Sequence, residues 1–195
     1  MKLYKNEILR KSIHISSILV PLAYRYVFFN NRKFTFLFLV PITLIVLIIE
    51  IIRLEHITFK RIFYDIFGII LRKHEAHEFT GATYLLISSI FCIAIFPSDI
   101  AFISLCFLSI GDTLAAIIGL PFGKRKLLGT KKSLEGSIAC FAGTFIFALF
   151  FINPFIAFFG SIATTFAEFS RLPIDDNFKI PIISGMVMCI ISIFV

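Results

Sequence analysis

The sequence predicts an all-α, polytopic integral membrane protein: a helical bundle of about seven transmembrane helices plus one interfacial amphipathic helix, forming a single domain over residues 1–195. Three observations carry this. Of the 195 residues, 58% are hydrophobic and 16% charged, with a mean hydropathy of +0.96; a soluble domain is nearer half apolar and a quarter charged. The 26 Phe exceed what one small soluble core can hide, since small domains bury only part of their surface. The charges fall in short clusters between long apolar runs, as loops do between spans. Soluble-enzyme, disordered, collagen-like and disulfide-scaffold classes are excluded. No nucleic acid is expected as partner either, because the net charge of +7 is not gathered on one soluble face.

A crossing needs roughly 20 residues, with roughly 17 enough for a short one. Seven segments meet this: 10–29, 34–52, 80–96, 99–120, 136–152, 154–170 and 180–195. The first ends in Pro21-Leu-Ala-Tyr-Arg25 without a small-residue cleavage site, so it reads as a retained helix and not a signal peptide. Between the second and third, Ile57–Lys73 mixes apolar residues with Lys60, Arg61, Asp65, Arg72 and Lys73, the pattern of a helix lying in the interface. Cys92, Cys106, Cys140 and Cys189 lie singly in apolar runs, with no C-x-x-C pair, and read as small core hydrophobes.

With the N-terminus inside, all of the 19 Lys and Arg except Arg25, Arg32 and Lys33 fall on the cytoplasmic side. That bias predicts a cytoplasmic N-terminus, an outer C-terminus, and placement in the cell inner membrane. The outer turns, Pro97-Ser-Asp99 and Asn153-Pro154, are too short to hold a site. The functional site is therefore expected on the cytoplasmic face.

Ionisable residues at membrane depth are costly and mark function by default. The sharpest is Asp112, beside a face of small residues at Gly111, Ala115 and Gly119. A packing seam would explain the glycines, but an aspartate is an expensive way to make a packing contact. After that helix comes Gly123-Lys124-Arg125-Lys126-Leu-Leu-Gly129-Thr130-Lys131-Lys132-Ser133-Leu-Glu135-Gly136. Glycines, cations and hydroxyls that open a helix suit a polyphosphate, which binds to backbone N–H groups and Lys. The spacing is not that of a Walker A loop. Positive-inside anchoring to anionic lipid is the plainer reading of the charge alone.

Two further groups stand at the same face. Glu7, Arg10, Lys11 and His14 share one side of the first helix, where Glu7 and Lys11 also suit a simple i,i+4 pair. Glu168 precedes Arg171, Asp175, Asp176 and Asn177, and three carboxylates near one surface can supply the oxygen ligands magnesium prefers. A solvated Asp-Asp-Asn turn is the plainer alternative. His74-Glu-Ala-His-Glu78 misses the H-E-x-x-H spacing of a zinc protease and reads as a polar cap at the interface.

Together these residues resemble the CTP-dependent lipid kinases that include dolichol kinase, phytol kinase and the yeast-type diacylglycerol kinase. The resemblance runs from Glu7 to Pro181. It comprises E-x-x-R-K-x-x-H (Glu7 to His14), His74-Glu75 with Thr80-Gly-Ala-Thr83, and G-D-x-x-A-x-x-x-G-x-x-x-G-K from Gly111 to Lys124. It continues through Gly129-Thr-Lys-Lys-Ser-Leu-Glu-Gly136 to Glu168, Asp175-Asp-Asn177 and Ile180-Pro181.

The resemblance implies transfer of the γ-phosphoryl group of CTP to a lipid hydroxyl in the bilayer, and it matches Arg10, Lys11, Asp112 and Gly119 to positions the family needs for activity. It also implies Mg2+, held by Asp112, Asp175 and Asp176 with Glu168 or Glu135, or else Asp112 as general base. Lys131, Lys132, Arg10 and Lys11 would grip phosphates. The 119–136 loop, with Gly119, Gly123, Lys124, Gly129, Thr130 and Ser133, would cradle them. Glu7, His14 and Asn177 complete the constellation. The acceptor is a polyprenol or dolichol, a phytol-type alcohol or diacylglycerol. The alternative is a related family, the CTP:phosphatidate cytidylyltransferases, which also use CTP on lipids but carry a C-terminal P-G-H-G-G-type run followed by D-R-x-D, where this sequence ends Ile180-Pro-Ile-Ile-Ser-Gly-Met186 without that run. A small transporter would place charge at mid-membrane, not at one face.

Overall fold

A computed structural model describes residues 15–68, 71, 74–127 and 132–195. Among them the chain is all-helical, with eight α-helices and no strand. The helices are α1 (Leu19–Leu22), α2 (Arg32–Glu55), α3 (Ile57–Phe67), α4 (Gly81–Ile95), α5 (Ser98–Phe122), α6 (Leu134–Ala148), α7 (Pro154–Phe169) and α8 (Asp176–Ser192). A 3-10 turn (Ser16–Ile18) precedes α1 and a π turn (Ala23–Val27) follows it. This segment was expected to be one regular helix. Pro21 brings no N–H to its turn, and the backbone departs from α geometry on both sides of it.

The centre of the bundle is α5, every residue of which from Ile100 to Ser109 is buried. A helix apolar all round belongs inside. Around it pack α4, α6, α7, α8 and the α1 segment, with α2 outside against α4, and α3 against α2. Phe102, Phe107, Cys106, Ile93, Ala157 and Met188 form the core. Most interhelical polar groups are small hydroxyls that return their proton to their own helix, such as Thr144 Oγ1 to Cys140 O (2.8 Å) and Ser184 Oγ to Ile180 O (2.8 Å). That economy lets backbones approach closely.

The outer helix α2 is inverted relative to a water-facing helix. Its buried stripe is Thr35, Leu39, Thr43, Glu50 and Arg53, while Leu37, Phe38, Ile42, Leu44, Ile45 and Ile48 are exposed. Helix α3 has no buried residue, as an interfacial helix requires. By length and composition, α2 and α5 qualify as membrane crossings, while α4, α6 and α7 are apolar but shorter. Among the described residues two helices qualify, against the seven crossings expected.

Boundaries differ most at the end of the chain. The last helix, expected over 180–195, begins at Asp176, because the Asp175 carboxylate accepts from Asn177 N (2.8 Å) and caps it. Pro181 then falls inside the helix. It cannot donate to Asn177 O, and Ser88 Oγ of α4 donates there at 2.8 Å instead. Pro154, with Asn153 as cap, starts α7 as its type predicts.

The two ends of the bundle differ in chemistry. At one end Arg25 pairs with Asp99 (2.8 Å) and lies over Phe102 and Phe151, while Arg32 donates to Phe96 O (2.7 Å). The other end collects the remaining polar groups of interest.

Candidate active site

The loop from α5 to α6 is stemmed like a hairpin. Leu127 N donates to Lys132 O (3.0 Å), Leu134 N to Arg125 O (2.9 Å), and Lys126 bridges Ser133. Ser133 then caps α6 by accepting from Gly136 N at 3.2 Å. From this stem Lys132 reaches across to two other helices. Its Nζ stands 2.9 Å from Glu168 Oε1 at the end of α7 and 3.3 Å from Asp176 Oδ2 at the start of α8, and it also donates to the Glu168 carbonyl. Lys179 holds the other Asp176 oxygen at 2.8 Å and donates to Ser170 O at 3.1 Å.

Burial pulls the Lys132 ammonium down, but Asp176, Glu168 and the charge of Asp112 outweigh it and hold the pKa above the ordinary value. Asp112 is buried on α5 at 6% exposure. Thus Asp112, Lys132, Glu168 and Asp176, named separately from the sequence, share one electrostatic cluster. The sequence reading gave Lys132 to phosphate and the acids to metal; the fold places the lysine among the acids.

Three helix N-termini face this end. Gly81 of α4 lies against Asn177 of α8, where an added Cβ would stand 2.5 Å from Asn177 Nδ2. The residues that open α6 bring Lys132 to Asp176, in the first turn of α8. Each start is capped: Glu75 accepts from Gly81 N (2.8 Å), Ser133 serves α6 and Asp175 serves α8. The partial positive charge of these starts is met by the protein's own carboxylates at α4 and α8 and by a hydroxyl at α6.

The small-residue face of α5 is a packing seam. A Cβ on Gly119 would come 3.3 Å from Gly136 Cα, and one on Gly136 2.7 Å from Ala115 O. Gly123 is tucked against Ser133, where a Cβ would meet Oγ at 2.5 Å, and its N–H donates to Gly119 O (3.2 Å). Arg125 N is directed at both Glu135 oxygens (3.3 Å each). The backbone donors of Gly123, Arg125, Leu127, Leu134 and Gly136 are therefore already bonded within the 119–136 segment. Lys124 is exposed on the stem. Gly129, Thr130 and Lys131 lie outside the described residues, as do Glu7, Arg10, Lys11 and His14.

Among the described residues no three His, Cys, Asp or Glu side chains form a ready metal cluster. One atom nonetheless suits a hard cation: Glu168 Oε2, buried and without a hydrogen-bond partner, beside Asp112 and Asp176. Glu135 is turned to the loop backbone.

The sequence reading missed a second polar centre. Glu50 and Arg53, both buried, pair at one end of α2. Arg53 also donates to Glu75 O and Glu78 O at 2.7 Å each, and Thr80 Oγ1 donates to Glu50 Oε1 at 2.7 Å. Arg53 had been counted only as a loop charge, yet Glu50 inside an apolar run, three residues before an Arg, was a visible signal. The 74–78 stretch, expected as a polar cap at the interface, instead has Glu75 buried and gives two carbonyls to Arg53.

The site is thus a set of buried charges of both signs at one end of an otherwise apolar helical bundle. The chain is 30% identical to CTP-dependent diacylglycerol kinase 1 of Saccharomyces cerevisiae, over 94% of this chain and 73% of that protein. It is 29% identical to the protein of that name from Eremothecium gossypii, over 97% of this chain and 68% of that one. The Schizosaccharomyces pombe protein is 26% identical over 73% of this chain and 74% of its own length. No family model and no solved structure matches. The chain belongs to the CTP-dependent lipid kinase family of these diacylglycerol kinases.

Proposed function

We propose that this protein transfers the γ-phosphoryl group of CTP to the hydroxyl of a membrane lipid alcohol: diacylglycerol, a polyprenol or dolichol, or a phytol-type isoprenoid. The observation that carries this reading is Lys132 held between Glu168 and Asp176, with the charge of Asp112 acting on it, at the start of α8. The acceptor oxygen attacks the γ-phosphorus, the bond to the β–γ bridging oxygen breaks, and CDP leaves. Lys132 offsets the charge that builds on the phosphates. Lys131, Arg10 and Lys11 add cations around them.

Glu168, Asp112 and Asp176, with Asp175 close by, would hold a magnesium ion, which would supply charge neutralisation to the phosphates. Asp112 either shares in that hold or takes the acceptor's proton.

The membrane setting is part of the same proposal. Seven crossings, with α3 in the interface, give the exposed apolar surface of α2 and its neighbours a lipid environment. The N-terminus and the site face the cytoplasm of an inner membrane, the C-terminus lies outside, and the acceptor slides in laterally with its tail still in the bilayer.

Purified protein given γ-labelled and α-labelled CTP in parallel, with magnesium and each lipid alcohol or phosphatidate, tests the reaction. Label is expected in the lipid from the γ position alone. Lipid label from the α position alone would make the protein a cytidylyltransferase, and no label from either would remove the kinase reading.

A further inference from the structure

The Glu50–Arg53 pair is costly and the reaction described above makes no use of it. Both side chains are buried, Arg53 completely. Buried pairs of this kind contribute little net stability compared with apolar residues of the same volume, so their retention calls for another explanation. Its partners supply one. Glu75 O and Glu78 O lie in the short connection between α3 and α4, and both accept from Arg53. Glu50 takes the hydroxyl of Thr80, the N-cap residue of α4. The pair thus ties α2 to the segment that begins α4.

That segment in turn sets the site. Glu75 Oε1 holds Gly81 N at 2.8 Å, and only a glycine leaves room there for the Asn177 amide. Asn177 bonds Asp175 through Nδ2 (2.7 Å), and its carbonyl is held by Ser88 of α4. The next residue back along α8 is Asp176, the partner of Lys132. We propose that Glu50 and Arg53 form a positioning device: by fixing the 75–81 segment they seat the N-termini of α4 and α8, and hold Asp176 in register with Lys132 for phosphoryl transfer. This rests on the kinase reading. Displacements of about 1 Å far from the chemistry can lower rates by about 10²-fold.

The test separates positioning from stability. Arg53→Lys keeps the charge and loses the fork to the two carbonyls. Glu50→Leu/Arg53→Met replaces the pair by apolar residues of similar size. Thr80→Val removes only the hydroxyl bond. Arg53→Lys and the double variant should lower kcat at least tenfold, with KM for CTP within twofold and the double variant's Tm at or above wild type. Thr80→Val should shift kcat the same way by less. Amide exchange at Gly81, read without any turnover, should quicken in Arg53→Lys. Wild-type kcat in the folded double variant would overturn the proposal; should that variant not fold, wild-type kcat in Arg53→Lys or Thr80→Val would do so. Unchanged Gly81 exchange would also overturn it. A wild-type protein inactive with CTP would remove the kinase reading instead, and the exchange measurement would still decide this one.

Discussion

Lys132 stands 2.9 Å from Glu168, bridging the α5–α6 loop to the end of α7, while the second carboxylate oxygen of Glu168 is buried without a partner. Removing the lysine leaves Asp176 with Lys179 alone and Glu168 without its ion-pair partner. Lys132→Met should therefore lose activity by roughly 10²-fold or more and also lose stability, because an uncompensated buried charge costs about 3–5 kcal/mol. Glu168→Gln in the same background should recover part of the stability and none of the activity. Thermal melts in detergent with γ-labelled CTP assays check both; a Lys132→Met protein of wild-type turnover would separate the cluster from the chemistry.

The pH dependence of that pair follows from its sign. Lys132 titrates above its ordinary 10.5 because nearby carboxylates outweigh burial. A raised pKa stabilises the fold fully below the unfolded value, and the contribution is lost as pH rises through the folded one. The Tm deficit of Lys132→Met should thus persist up to about pH 9 and shrink only as pH rises above the unfolded value. A deficit that did not shrink at strongly alkaline pH would assign the interaction to another group.

Much of this arrangement is legible in the sequence, for reasons that are local. Apolar runs, Pro154 behind Asn153 and the Ser133 cap each act within a few residues, so the helices fall close to where periodicity puts them. Asp112, Lys132, Glu168 and Asp176 were each visible as charge where charge is expensive. Their pairing was not, since α5, the loop, α7 and α8 meet only in the folded bundle. Glu50 is visible as a charge in an apolar run, but its hydroxyl partner Thr80, 30 residues on, is not. The four residues of α8 before 180 were not legible, because nothing local shows that Ser88 will satisfy the carbonyl that Pro181 leaves open.

The glycine seam gives a prediction about stability alone. Gly136→Ala would set a Cβ 2.7 Å from the Ala115 carbonyl, a backbone atom that can yield only if α5 and α6 part. Overpacking of this kind costs about 1–3 kcal/mol. On the same helix the position of Gly143 is crowded chiefly by the Leu114 side chain, which can rotate away. Gly143→Ala should accordingly be near neutral, aided by the better helix propensity of Ala. Equal melting temperatures for the two variants would mean that the seam is looser than these distances require.

Asp112 brings the packing and chemical readings into direct opposition. It lies one residue from Gly111, where a Cβ would already crowd Cys140 Sγ at 2.9 Å, so its backbone is fixed by the seam. Its charge nevertheless reaches Lys132. Asp112→Asn keeps the shape and the hydrogen-bonding capacity and removes only the charge. If the carboxylate is spent on holding helices together, the Asn variant should melt lower and turn over normally. If it serves the phosphoryl transfer, as a hold on magnesium or as the base, Tm should stay within a few degrees while turnover falls by about 10²–10⁴-fold. The second outcome is expected. Repeating the assay across magnesium concentrations then separates the two chemical roles: a lost metal hold raises the magnesium needed for half-maximal rate, whereas a lost base lowers the plateau at every concentration.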